Sequence, residues 1–554
     1  MSSTAPGTPR RTRVHPLPLS GLLRPGRPSE IWFKPALSVA AAVAPPNLAL
    51  LALGRLDLAV YTMAGSLCAL YAHHRPYAAR ARVLAAVALG MLGGLAVALV
   101  TASLTTDAVL LVTVGALLAA GQKALCDVTV VGPPGNVIFT FVSSAALFAP
   151  QSLGQVPAHL ALAAAAGAWA WLVGMAPGLL RPYGPERRAT ASALSAAAAF
   201  VETGTAGARA EAAAAVHGAW RSLLTAGAPT GLRHALGQLV VRAEIALAAP
   251  LDSDPERLRS WARALRGTAG EQLGAADERD ERDPRHRLSR PTPAPSAPAA
   301  PAAPRTRWSS VAPLALRTAL GCASAGYASL ALGVGRPYWA LVTAASLYQA
   351  NVTLTWSRGV QRVVGNLAGV LLFAALAPLA HASQAALVLC GVALAFGAEA
   401  LISRNYWLGS VCVTPMALFI TEFGHPQEPG ALMTDRVLDC VLGALVGLVA
   451  AIAVTNRRAG HRLERALDAV EVARGHAVHA LAAEHPDPGA LEAARRHLAA
   501  AVVELRATAD TAAGEWWLRA LPEERVRHVE QAGHRTLAEA VRRQGPHTGE
   551  GVRV

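Results

Sequence analysis

Charged residues are sparse in two long stretches, 35–177 and 313–454, built mainly from Ala, Leu, Val and Gly. Polar residues gather instead in 1–34, about 180–310 and 456–554. Alternating contact with bilayer and water produces this segregation. Apolar runs at 35–54, 56–72, 83–103, 107–124, 128–149 and 159–177 predict six membrane helices in the first stretch. Runs at 313–333, 337–353, 360–380, 383–401, 406–423 and 432–454 predict six in the second. Each approaches the ~20 residues that cross about 30 Å of hydrocarbon, although Pro45-Pro46 and Pro133-Pro134 interrupt the first and fifth.

The expected fold is therefore an all-α polytopic membrane protein of two six-helix membrane halves, each followed by a cytoplasmic helical extension. Its expected parts are a basic arm at 1–34, a first membrane half at 35–177, a helical region at 178–276, a charged and Pro/Ala-rich disordered linker at 277–312, a second membrane half at 313–455 and a helical region at 456–554. The basic residues of the arm, of the loop from His73 to Arg82, and at Lys123, Arg181, Arg358, Arg362, Arg404 and Arg457 fall on one side of this topology. That side is expected to be the cytoplasm, with both termini there and the inner (plasma) membrane as location; Arg55 and Arg336 are the exceptions. Residues 54–100 resemble 335–379 at a shift of about 280 positions, an internal repeat that predicts paired halves.

Composition narrows the chemistry. The 554 residues are 53% hydrophobic and only 16% charged, with a mean hydropathy of +0.34, too apolar for an ordinary soluble enzyme. The net charge of +14 resides in arginines of polar segments and short loops, not in a basic face interleaved with aromatics, so nucleic acid is not expected as a partner. Lys34 and Lys123 are the sole lysines and neither closes a phosphate-binding loop, which argues against an ATP-driven pump. The histidines and the six cysteines lack metal-ligand spacing, so neither metal, cofactor nor enzymatic activity is expected.

Polar residues inside the apolar runs are the candidate functional groups. Arg436, Asp439, Gly443 and Gly447 share one face of the last run, and Arg362, Gly365, Asn366 and Gly369 share one face of the ninth. Arg436 and Asp439 are expected to meet as a charged pair, with Arg362 as a second cationic site and Asn366 one turn deeper. The glycine pairs, with Gly90 and Gly94 in the third run, predict close helix packing, either between the two halves or in a homo-oligomer. Tyr338-Trp339 and Tyr406-Trp407 open two runs, where they serve as interfacial belts or stack on a solute. Glu399 is the best-placed remaining carboxyl for a proton relay.

On these residues the second half resembles the fusaric acid resistance protein family, which includes aromatic carboxylic acid exporter-like membrane proteins. The resemblance rests on Arg336-Pro337-Tyr338-Trp339-Ala340, on Arg358 and Arg362 with Gly365 and Gly369, on Asn405-Tyr406 with Thr414, and on Arg436 with Asp439, Gly443 and Gly447. Asn366 and Cys440 stand where the family usually has threonine. The resemblance implies a transporter, with proton-gradient-driven efflux of small organic or aromatic carboxylic acids as the leading expectation. The alternatives are a non-transporting membrane scaffold that recruits partners through its helical extensions and a channel-like anion pore.

Overall fold

The computed structural model describes residues 17–544 except 18, 29, 228–229, 268–303, 424–426, 455–458, 485–486 and 516–521. The start of the basic arm and most of the expected 277–312 linker lie outside the described residues. All regular elements among those described are helical. In the first stretch they are α1 (Phe33–Ala52), α2 (Ala59–Ser66), α3 (Tyr77–Leu104), α4 (Ala108–Thr129), α5 (Val137–Leu147) and α6 (Val156–Met175), with the single turn α7 (Pro177–Leu180). The first extension holds α8 (Gly184–Thr203), α9 (Ala206–Thr225), α10 (Gly231–Ala248) and α11 (Pro255–Arg266). The second stretch holds α12 (Pro304–Ala331), α13 (Pro337–Leu347), α14 (Val352–Ala380), α15 (Gln384–Ile402), α16 (Tyr406–Glu422) and α17 (Pro429–Ala453). The second extension is α18 (Ala459–Ala482), α19 (Pro488–Ala513) and α20 (Glu523–Gln544).

The expected plan of two six-helix membrane halves with extensions does not hold. Among the described residues seven helices are long and apolar enough to cross a bilayer, four between Phe33 and Leu180 and three between Val352 and Ala453. Those seven are α1, α3, α4, the segment Leu153–Leu180 around α6, α14, α15 and α17. The physical reason is continuity: α5 and α13 have 11 residues each, which reach only about 17 Å. The run at 56–72 is broken into two 3-10 turns flanking the eight residues of α2. Near Pro133-Pro134 the helix stops at Thr129 and resumes only at Val137, with Gly132 and Gly135 in the left-handed region that glycine tolerates. α12 starts at Pro304, so the last residues expected as linker are helical.

Corresponding elements nevertheless pack alike. α12 lies on α4 as α15 lies on α1, and α13 lies on α17 as α2 lies on α6. The glycines fix these approaches. A methyl on Gly365 would fall 2.6 Å from the Trp407 carbonyl oxygen of α16, and one on Gly443 would fall 2.5 Å from the Ala340 carbonyl oxygen of α13. Gly369 and Gly447 sit against Thr414 and Leu347, while Gly90 and Gly94 sit against Phe139 and Gln122. All six faces are occupied by the chain itself.

The extensions have cores of their own, one around Leu194, Leu236 and Val240, the other around Leu467, Leu498 and Leu505. Thr205, Thr230 and Asp254 cap α9, α10 and α11 by accepting backbone N–H bonds. The extensions touch each other through an ion pair between Arg495 and Glu244, so both lie on one side of the membrane bundle. Glu30 pairs with Arg266 at 3.0 Å, which puts the start of α1 on that side too. Arg55 and Arg336, the two arginines that break the charge asymmetry, have acidic neighbours in Asp57 at 3.1 Å and Asp435 at 3.7 Å.

Candidate functional site

The site is assembled on α14. Asn351 caps this helix, its side-chain oxygen accepting the Leu354 N–H at 2.8 Å, and thereby sets the phase in which Arg358, Arg362 and Asn366 follow at four-residue intervals on one face. Opposite them stands α16. The Arg358 guanidinium lies over the Tyr406 ring, 3.3 Å from its centroid, and Arg362 donates to the Tyr406 hydroxyl at 2.9 Å. Asn366 donates to the Arg362 carbonyl at 2.7 Å and accepts from Thr414 at 3.0 Å, so its amide is held in place by both helices.

The third arginine comes from α17. Arg436 is 2% exposed and lies over Trp339 of α13, 3.8 Å from the ring centroid. Trp339 in turn stacks with Tyr338 at 5.3 Å, and Tyr338 meets Phe148 beyond the end of α5 at 5.7 Å, so the first stretch closes the aromatic wall.

Arg436 and Asp439 do not form the expected ion pair. Spacing puts both on one face of α17, but that face meets two partners: Arg436 turns to Trp339 of α13, while Asp439 accepts from Ser329 of α12 at 2.6 Å. The fully buried Asp439 keeps one carboxylate oxygen without a hydrogen bond, and Arg436 keeps Nε and one terminal nitrogen without one. Nε of Arg358 and Nε of Arg362 are likewise buried and without a hydrogen-bond partner among the described residues. A buried guanidinium without a carboxylate is costly by several kcal/mol, and ring stacking returns about 2. Among the described residues, open donors therefore gather around the arginines.

Two sequence candidates fall outside this cluster. Trp407 points away and donates to the Leu23 carbonyl at 3.0 Å, fastening the segment before α1. Glu399 is half-buried on α15 near Tyr71, with no ion-pair partner among the described residues. Ser329 and Thr343 belong to the cluster without having been singled out; Arg358 and Thr414, named above only for the family resemblance, belong to it as well, and the four-residue step from Arg358 to Arg362 was the signal available for the first. His381 and Glu422, hydrogen-bonded at 3.0 Å at the far ends of α14 and α16, meet in a contact that sequence spacing does not reveal.

A helical bundle with several bilayer-length apolar spans and buried cations defines a multi-pass membrane protein. Residues 323–450, which hold the three arginines and their ring partners Tyr406 and Trp339, match the profile of the family described as "Fusaric acid resistance protein-like". The chain is also similar to the "Uncharacterized membrane protein YvaC" of Bacillus subtilis (strain 168), 33% identical over 137 residues. That alignment spans 24% of this chain and 22% of the relative. No solved structure matches.

Proposed function

We propose that the protein is a transporter that exports small organic anions, aromatic carboxylic acids foremost, driven by the proton gradient across the inner membrane. The observation that carries this reading is the set of three arginines, Arg362 and Arg436 buried and Arg358 half-buried, stacked on or bonded to aromatic rings and with no carboxylate partner among the described residues. A carboxylate that reaches the three arginines satisfies their open N–H groups, among aromatic side chains that already flank the guanidinium groups. The arginines are offset along the bundle, so an anion passes from one to the next without being held by all three. The extension side, rich in arginine, is taken as the cytoplasm, which makes Arg358 and Arg362 the first to meet the substrate and Arg436 the later one. Asp439, with its free carboxylate oxygen beside Ser329, is the acid placed to exchange a proton during the cycle.

The test is efflux of radiolabelled benzoate-type acids from sealed proteoliposomes, with and without an imposed pH gradient. Saturable, gradient-dependent movement is expected. Voltage-driven current without coupling points to a pore, and no protein-dependent movement of any acid in the panel overturns the reading.

A further inference from the structure

A cavity of about 630 Å³ lies between the two extensions, outside the membrane bundle, and is lined mainly by α9, α10, α19 and α20, with His476 of α18. This is the volume range of small-molecule sites. Its walls are mostly Ala, Val and Leu side chains, with Trp220 as the one large ring. The walls are tied together: Glu244 of α10 accepts from the Trp220 indole at 2.9 Å and pairs with Arg495 of α19, which also pairs with Glu492 at 2.6 Å. Glu244, the one acid lining the cavity, is thus fully used.

The cations are not balanced in the same way. Arg221 lines the cavity with no ion-pair partner among the described residues. Arg496 is held by Glu492 at 2.9 Å and reaches over Trp220. His217 and His534 add nitrogen atoms to the wall. Burial and the Arg209 charge push His534 down to about 4, and burial beside Arg221 pushes His217 down, so both rings are neutral at pH 7 and available as donors or acceptors.

We infer that this cavity is a second binding site, outside the membrane, for an apolar organic acid whose body fills the Ala/Val/Leu chamber against Trp220 and whose anionic group meets Arg221. An apolar chamber with a single unbalanced cation at its wall discriminates such a molecule from both neutral lipids and small inorganic anions. The same helix, α19, runs on to the membrane bundle: Thr511 accepts from Asn351, and the Gly514 carbonyl accepts from the Thr353 N–H at 3.1 Å and its hydroxyl at 2.9 Å. The site is therefore built on an element that grips the cap of α14. Its existence does not depend on the transport reading, because binding is measured without flux.

The test uses the full chain in lipid nanodiscs with 2-naphthoate as the probe and tryptophan quenching as the readout. Saturable quenching is expected, absent from empty nanodiscs and lost in Trp220→Phe, which removes the reporting ring. Ala494→Phe, which fills the chamber, should abolish saturation. Arg221→Glu, at an exposed position, should weaken 2-naphthoate at least tenfold while leaving the uncharged 2-naphthalenemethanol within twofold. Non-saturable quenching that is equal in all variants overturns the inference. So does binding that appears only after residues 545–554 are removed, since the chamber would then belong to the chain's own tail.

Discussion

Replacing Gly443 with alanine tests the packing on which the arginine column depends. A methyl there would lie 2.5 Å from the Ala340 carbonyl oxygen and 2.9 Å from the Thr343 β-carbon, where ordinary contact begins at 3.4 Å. The obstructing atom is backbone, so relief requires α13 to retreat by roughly 0.9 Å, taking Trp339 with it. Overpacking of this kind costs about 1–3 kcal/mol, partly offset by the ~1 kcal/mol by which alanine exceeds glycine in helix propensity. Gly430 sits on the same helix with open space around it and supplies the control. Unfolding by sodium dodecyl sulfate in mixed bicelles, followed by tryptophan fluorescence, should show Gly443→Ala less stable than Gly430→Ala by about 1–3 kcal/mol. Equal stability of the two variants would refute the close approach of α13 and α17.

Gly514→Ala would drive a methyl into the Asn351 amide. Loss of that docked cap, worth about 1 kcal/mol, should raise hydrogen exchange at both the end of α19 and the first turn of α14; exchange unchanged at α14 counts against the link. Acidification should loosen the second extension. The His534 ring is held at about 4 against an ordinary 6.5, so the unfolded chain binds more protons between those values, and stability present above pH 6.5 falls as pH drops towards 4, by about 3 kcal/mol at most. Hydrogen exchange of α20 as a function of pH reads this, and His534→Gln should flatten the profile. Trp339→Leu removes the ring under Arg436 and should lower transport severalfold with insertion unchanged, whereas Trp407→Phe, away from the cluster, should alter transport less than twofold.

Hydropathy along the chain locates the membrane stretches because average apolarity survives any local break, yet it does not count spans. Eleven apolar residues in α13 score like part of a longer helix, and only the turn at Tyr348 and the cap at Asn351 show that the helix has ended. The faces of α14 and α17 are legible because four-residue spacing aligns glycines and arginines before any partner is known. Partners are another matter. Arg436 and Asp439 are three residues apart and suited to each other, but α12 and α13 arrive on either side and separate them, which is tertiary information. The cavity between the extensions is equally invisible in sequence, since its walls are alanines spread over four helices more than 300 positions apart.

The central claim is that the buried arginines carry the anion. Arg362→Gln, Arg436→Gln and Arg436→Lys, reconstituted in equal inserted amounts, should be compared by initial rates of gradient-driven efflux over a range of benzoate concentrations. Both glutamine variants are predicted to lose at least tenfold in rate at low substrate, and the lysine variant to recover only part of it, because a compact ammonium lacks the planar fork that stacks on Trp339 while presenting N–H groups to a carboxylate. Wild-type rates in Arg362→Gln and Arg436→Gln together would contradict the account.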